Sequence, residues 1–145
     1  MDDFAKKPGA LFWILGAVFV IWNGFGCAAY LMDVTASDAK YAELYGEAML
    51  AVRDKFPVWS LSAYAIAVWG GLLAAVLYLL RKRLAVTVFV ISLIAGLISF
   101  SWSIMNAEAR TASGDMFWVM PMLVLFLGLI EIFWSRKMAA KGIIR

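Results

Sequence analysis

The sequence predicts an all-α fold, an integral membrane four-helix bundle with a short amphipathic helix in the first extracytoplasmic loop. Three observations carry that prediction. The 145 residues are 65% hydrophobic, against about 45–50% in soluble domains, and mean hydropathy is +0.87. The apolar residues fall into four runs, Ala10–Met32, Val58–Leu80, Leu84–Met105 and Met116–Trp134, each near the ~20 residues an α-helix needs to cross a bilayer core. The segments between the runs are short and polar, so residues 1–145 read as a single membrane domain.

The first element follows a polar leader, Met1–Gly9, in which Pro8-Gly9 breaks any helix before the span. Lys6-Lys7 before an apolar stretch has the form of a signal peptide. The run is too long for one, and no small-residue cleavage site follows, so the span is expected to be retained. Asp33 ends it.

Thr35-Ala-Ser-Asp38 then has the form of a capping box. Beyond it, Tyr41, Leu44, Tyr45, Ala48, Val52 and Phe56 recur at helical spacing. Lys40, Glu43, Glu47 and Asp54 mostly take the other side, so residues 36–55 read as one amphipathic helix on the membrane surface or over the bundle mouth. The simpler role is a lid on the helix ends; the functional alternative is a gate or a docking surface.

Pro57 suits the first turn of the second span, where its missing N–H costs nothing. Arg81-Lys82-Arg83 is too short a connector for anything but antiparallel neighbours. Asn106–Asp115 reads as a polar loop, and a basic helix end follows Trp134. Trp13 and Trp134 mark one interface and Trp59, Trp102 and Trp118 the other, as amphipathic indoles do. Trp22 and Trp69 fall near mid-depth and are expected to pack inside the bundle.

Charge orients the bundle. Lys6, Lys7, Arg81, Lys82, Arg83, Arg136, Lys137, Lys141 and Arg145 share one side, leaving Lys40, Arg53, Lys55 and Arg110 on the other. The positive-inside rule then puts both termini in the cytoplasm. Basic clusters abutting spans are what orientation and anionic headgroups require, so nucleic acid is not an expected partner.

Each span carries a stripe suited to close helix packing, which in lipid relies on small residues and hydrogen bonds. The stripes are Gly16, Asn23, Cys27 and Tyr30; Ala63, Ala67, Gly70/Gly71 and Ala74; Ser92, Gly96, Ser99 and Ser103; and Pro121, Gly128 and Glu131.

Asn23 lies near the midplane, where its amide is expected to bond Ser92, Ser99 or a backbone carbonyl. Glu131 is the formal charge inside a span, and by default such a residue is a functional candidate. Placed about six residues past the middle of its run, it is expected about 9 Å towards the basic side by helix rise, paired with Arg81, Lys82 or Arg83. Proton or cation coupling is the alternative. The candidate intramembrane polar or ligand-lining set is therefore Asn23, Ser92, Ser99, Glu131, Trp22 and Trp69.

Several functions are disfavoured. The chain has no histidine and one cysteine, Cys27, so it lacks the commonest general base, the main zinc ligand and any disulfide framework. No enzyme activity, catalytic residue, metal or cofactor is expected.

The order of landmarks resembles a known family. Phe12-Trp13-Ile14 precedes Trp22-Asn23-Gly24 and Ala29-Tyr30-Leu31-Met32; Pro57-x-Trp59 precedes Tyr64-Ala-Ile-Ala-Val-Trp-Gly-Gly71. Leu79-Leu80-Arg81-Lys82, the run Val88–Ile94, Met120-Pro121, Phe133-Trp134-Ser135-Arg136-Lys137 and Lys141-Gly142-Ile143 complete it. This is similar to small bacterial four-span inner-membrane proteins often labelled "sugar transporter", though Glu131 stands where a neutral residue is expected. The resemblance implies a multi-pass inner-membrane protein and carries over no site residues.

The leading expectation is a non-enzymatic accessory or self-associating membrane component, in a homo-oligomer or larger membrane complex and bathed by the lipid bilayer. An oligomeric small-solute carrier is the second reading, and a quinone-, carotenoid- or lipid-binding subunit the third.

Overall fold

The computed structural model describes residues 7–145. Most of the polar leader, including Lys6, lies outside the described residues. The described residues form seven α-helices: α1 Ala10–Thr35, α2 Asp38–Tyr45, α3 Glu47–Arg53, α4 Val58–Leu79, α5 Leu84–Met105, α6 Ala107–Ser113 and α7 Val119–Ala140. A 3-10 turn, Gly114–Trp118, joins the last two. Four helices are long and apolar enough to cross a membrane, the fourth counted through α6 and the turn into α7, as the four apolar runs required.

Helix α4 packs against α1 and α5, and α5 against α7. The tight connector makes α4 and α5 antiparallel, and two hydroxyls fix their register: Ser60 Oγ donates to Ser99 O at 3.1 Å, and Ser92 Oγ to Ala67 O at 2.6 Å. The small-residue stripes are spent inside the bundle. A Cβ added at Gly16 would come within 2.2 Å of Leu79, and one at Gly128 within 2.8 Å of Leu93.

The bundle has two unlike ends. At the basic end, with the 81–83 connector and the C-terminal tail, Phe12, Phe19, Ala74, Ala75, Tyr78, Ala85, Phe89, Met138 and Ile144 form one buried apolar cluster. Phe12 stacks on Tyr78 with ring centroids 4.4 Å apart, and Trp134 Nε1 donates to the Tyr78 hydroxyl at 3.1 Å.

Two matching turns close this end. Arg81 N donates to Tyr78 O and Lys82 N to Leu77 O; Gly142 N donates to Ala139 O and Ile143 N to Met138 O. Both are Schellman caps, with a left-handed residue just past the helix. In the second, glycine fills that position at φ 69°; in the first it is Arg81 at φ 60°. A side chain there costs about 1–2 kcal/mol. The tail offsets it: Arg145 N donates to Arg81 O, Arg83 N to Arg145 O, and Arg81 Nε to Ile143 O.

At the polar end the expected amphipathic helix over 36–55 is broken in two. Gly46, at φ 87°, ends α2 and starts α3, so the apolar spacing continues in sequence but not in one helix. Tyr41 and Val52 are buried, whereas Leu44, Tyr45 and Ala48 are exposed. The cap also moves. Helix α1 runs on through Thr35, whose hydroxyl donates back to Leu31 O, and Ser37 caps α2 instead by accepting from Lys40 N. The expected 106–115 loop is mostly helix, because the Asn106 side chain accepts from Ala109 N and caps α6.

Candidate functional site

Two clusters of polar side chains interrupt the apolar interior. The first lies at mid-depth. Helical phase turns Asn23 of α1 and Glu131 of α7 inwards, and both are buried, Glu131 being 5% exposed. Asn23 Nδ2 donates to Glu131 Oε1 at 2.6 Å and to Phe19 O at 2.9 Å. Gly71 of α4 makes this approach possible, since a Cβ there would come within 1.9 Å of Asn23 Oδ1 and 3.1 Å of Ser92 Oγ. Asn23, Gly71, Ser92 and Glu131 thus meet, one from each long helix.

This arrangement corrects three expectations. Glu131 takes its hydrogen bond from Asn23, not from Arg81, Lys82 or Arg83. The fourth long helix begins and ends later than its most apolar stretch, at Val119–Ala140, which brings Glu131 to the level of Asn23, about 13 Å from the helix end by rise per residue. Ser92 is near Asn23, but its hydroxyl is committed to Ala67 O. Ser99 lies elsewhere, in the second cluster. Trp22 is half-buried, as packing requires, whereas Trp69 is 46% exposed on the outer surface of α4. An indole facing lipid needs no interior partner, and the small-residue ridge of α4 occupies the opposite face.

The second cluster lines a cleft of ≈ 340 Å³ at the polar end, walled by Asp33, Tyr41, Arg53, Asp54, Phe56, Ser60, Tyr64 and Ser99, with Val34 and Leu61. Asp33 does not end α1 but sits in its last turns and is half-buried. Tyr64 donates its hydroxyl to Asp33 Oδ2 at 3.3 Å, and the Tyr64 ring meets Tyr30 edge-on at 5.1 Å.

Arg53 ties α3 to this wall. One guanidinium nitrogen donates to Asp33 O at 3.0 Å and Ala36 O at 2.9 Å, and the other to Asp38 Oδ1 at 3.3 Å. The guanidinium also lies 4.6 Å from the centroid of the Tyr41 ring. Its donors go to backbone and to Asp38, which leaves Asp33 Oδ1 buried without a hydrogen-bond partner. Desolvation, then the charge of Asp33, pushes the Tyr41 hydroxyl's pKa up. Tyr45 is pushed up as well, first by desolvation and then by the neighbouring Asp33.

Of the six predicted residues, the structure brings together Asn23, Ser92 and Glu131 and puts Ser99 in the polar-end cleft. Sequence reasoning missed Asp33, Arg53 and Tyr64. A usable signal existed: Ser60 and Tyr64 are one helical turn apart on α4, on the face that also carries the small residues. No family model, characterised protein or solved structure matches the chain.

Among the described residues no group of three or more metal-ligating side chains forms. The groups brought together can exchange a proton at Glu131 and offer hydrogen bonds or charge recognition in the cleft.

Proposed function

We propose that the chain is a non-enzymatic multi-pass membrane protein that works by association, as an accessory or self-associating component of a larger membrane assembly. The observation that carries this reading is the filled interior. Gly16, Gly71 and Gly128 are taken up by close intramolecular contacts, and the midplane polar pair satisfies itself, so the outward helix faces are left to act on lipid and neighbours. The excess of Arg and Lys at the connector and C-terminal end argues for that end in the cytoplasm. The landmark resemblance supports a bacterial inner membrane.

Extraction into native-lipid nanodiscs followed by native mass spectrometry tests the reading. A stoichiometric homo-oligomer or complex is the expected result. A single chain at every lipid-to-protein ratio overturns it.

A small-solute carrier is the second reading, favoured by one observation: a polar cleft at one end of the bundle over a close-packed apolar cluster at the other. One four-span chain offers little room for alternating access, so a carrier would act as a two-fold oligomer. In proteoliposomes containing the protein, pH-dependent uptake that survives Glu131→Gln would remove Glu131 from any coupling role.

A further inference from the structure

We propose that the polar-end cleft is a binding site for a primary alkylammonium group, with Asp33 as its anionic partner. A ligand site here stands apart from whether the chain oligomerises or transports.

Three features of the cleft point to that chemistry. Asp33 Oδ1 is a buried carboxylate oxygen without a hydrogen-bond partner, and such atoms are rare because their desolvation goes uncompensated. Oδ2 is held by Tyr64, and the Tyr45 hydroxyl also acts on this carboxylate, although no donor comes within hydrogen-bond geometry of Oδ1. The terminal torsion of an aspartate is soft, so the carboxylate turns towards a donor entering the cleft.

The local charge favours a cation. The walls carry Asp33 and Asp54 against Arg53, and Arg53 is already engaged by Asp38. An ammonium therefore enters a site where two carboxylates face one guanidinium, whose donors go to Asp38 and to main-chain oxygens and not to the Asp33 carboxylate. The aromatic rings of Tyr41, Phe56 and Tyr64 line the same space, and ring faces attract ammonium groups.

Volume and donor set narrow the ligand. At ≈ 340 Å³ the cleft is at the small end of ligand pockets, which start near ~300 Å³. One free carboxylate oxygen and a few hydroxyls suit three N–H donors better than a divalent ion needing ~6–8 oxygens. The shared chemistry has two sources, a free amine or the headgroup of phosphatidylethanolamine, because the cleft opens where the helices end.

The full chain in phosphatidylglycerol nanodiscs, titrated calorimetrically with n-butylammonium chloride at constant ionic strength, tests the site. Saturable binding is expected, with n-butanol and sodium failing to reproduce it. Asp33→Asn should weaken binding by at least about tenfold, as loss of a charged hydrogen-bond partner does.

Should Asp33→Asn fail to fold, Ser99→Phe serves instead, since it fills the cleft from α5 and leaves Asp33 in place. It should abolish binding while the helical circular dichroism stays unchanged. Adding phosphatidylethanolamine separates the sources: competition identifies the headgroup, and unchanged affinity identifies a free amine. Equal binding of n-butanol, equal competition by sodium, non-saturable uptake, or wild-type affinity in a folded Asp33→Asn or Ser99→Phe protein overturns the proposal.

Discussion

At the basic end Tyr78, Phe89 and Ile144 are sealed among apolar side chains, and the main chain closes on itself through paired Schellman turns. At the polar end Arg53 ties α3 to the end of α1 and Tyr64 ties α4 to α1 through Asp33, beside an open cleft. Both ends must cap the same four long helices. One does it by volume, the other by directional bonds, and the two respond to different perturbations. Packing is sensitive to any change of shape, whereas hydrogen bonds are sensitive to the loss of a donor or acceptor. The packed end holds the bundle together, and the polar end carries the cleft.

Substitutions at the two ends give tests of that contrast. Tyr78→Ala should have the largest effect. The cavity left by a buried aromatic ring, added to the lost contacts of the ring itself, costs about 3–5 kcal/mol, read as a lowered unfolding free energy by steric trapping in bicelles. An effect no larger than those at the polar end would erase the distinction.

Gly71→Ala comes next, at about 1–3 kcal/mol from overpacking, because its methyl group would displace Asn23 from Glu131. The same measurement on Asn23→Ala and Glu131→Ala, singly and together, isolates the midplane bond. Its coupling energy should be about 0.6 kcal/mol and no more than ~1.7.

Arg53→Ala should cost only about 1 kcal/mol globally, the scale of its partly exposed hydrogen bonds. It should nonetheless raise hydrogen exchange over residues 36–53 while leaving α4 and α5 protected. Uniform deprotection would mean that the cover and the bundle are one cooperative unit.

The smallest effect belongs to the exposed pair of Lys55 with Glu108. Lys55→Ala should change stability by less than about 0.5 kcal/mol, since surface pairs are screened by solvent and salt.

Alkaline pH supplies a last contrast. Tyr41 and Tyr45 have folded-state pKa values raised above the unfolded ones. The stability they contribute is therefore complete below the ordinary tyrosine pKa of about 10 and falls as pH rises above it. Ultraviolet titration should find their ionisation delayed in the folded protein and restored to the ordinary range on unfolding.

The fold was legible because the bilayer imposes a length and a composition that few other structures share. Ala10, Val58, Leu84 and Met105 mark helix ends in the sequence and in the structure alike. The midplane polar residues were legible as members of a set, because an amide or acid inside an apolar run has little choice but to face inwards. Their partners were not. The apolar run alone places Glu131 near the basic connector, and the extension of α7 to Ala140 places it at mid-depth.

The polar-end cleft was the least legible. Asp33 looked like a span terminator, and Arg53 like one solvated charge among several. Their meeting depends on Gly46, whose positive-φ backbone turns the chain between α2 and α3 so that the Arg53 side chain reaches the end of α1. No pattern of hydrophobicity encodes that reversal.

Composition and periodicity alone determined that four long apolar helices form, where most of them begin and end, and that the small and polar stripes turn inwards, because those choices depend on each residue's exchange between water and hydrocarbon. Tertiary structure alone decided that Asn23 reaches Glu131 across Gly71, that Trp69 faces outwards, and that Asp33 sits in a cleft with one oxygen unpaired. Those outcomes depend on distances between segments remote in the chain, and such distances are set only when the helices pack.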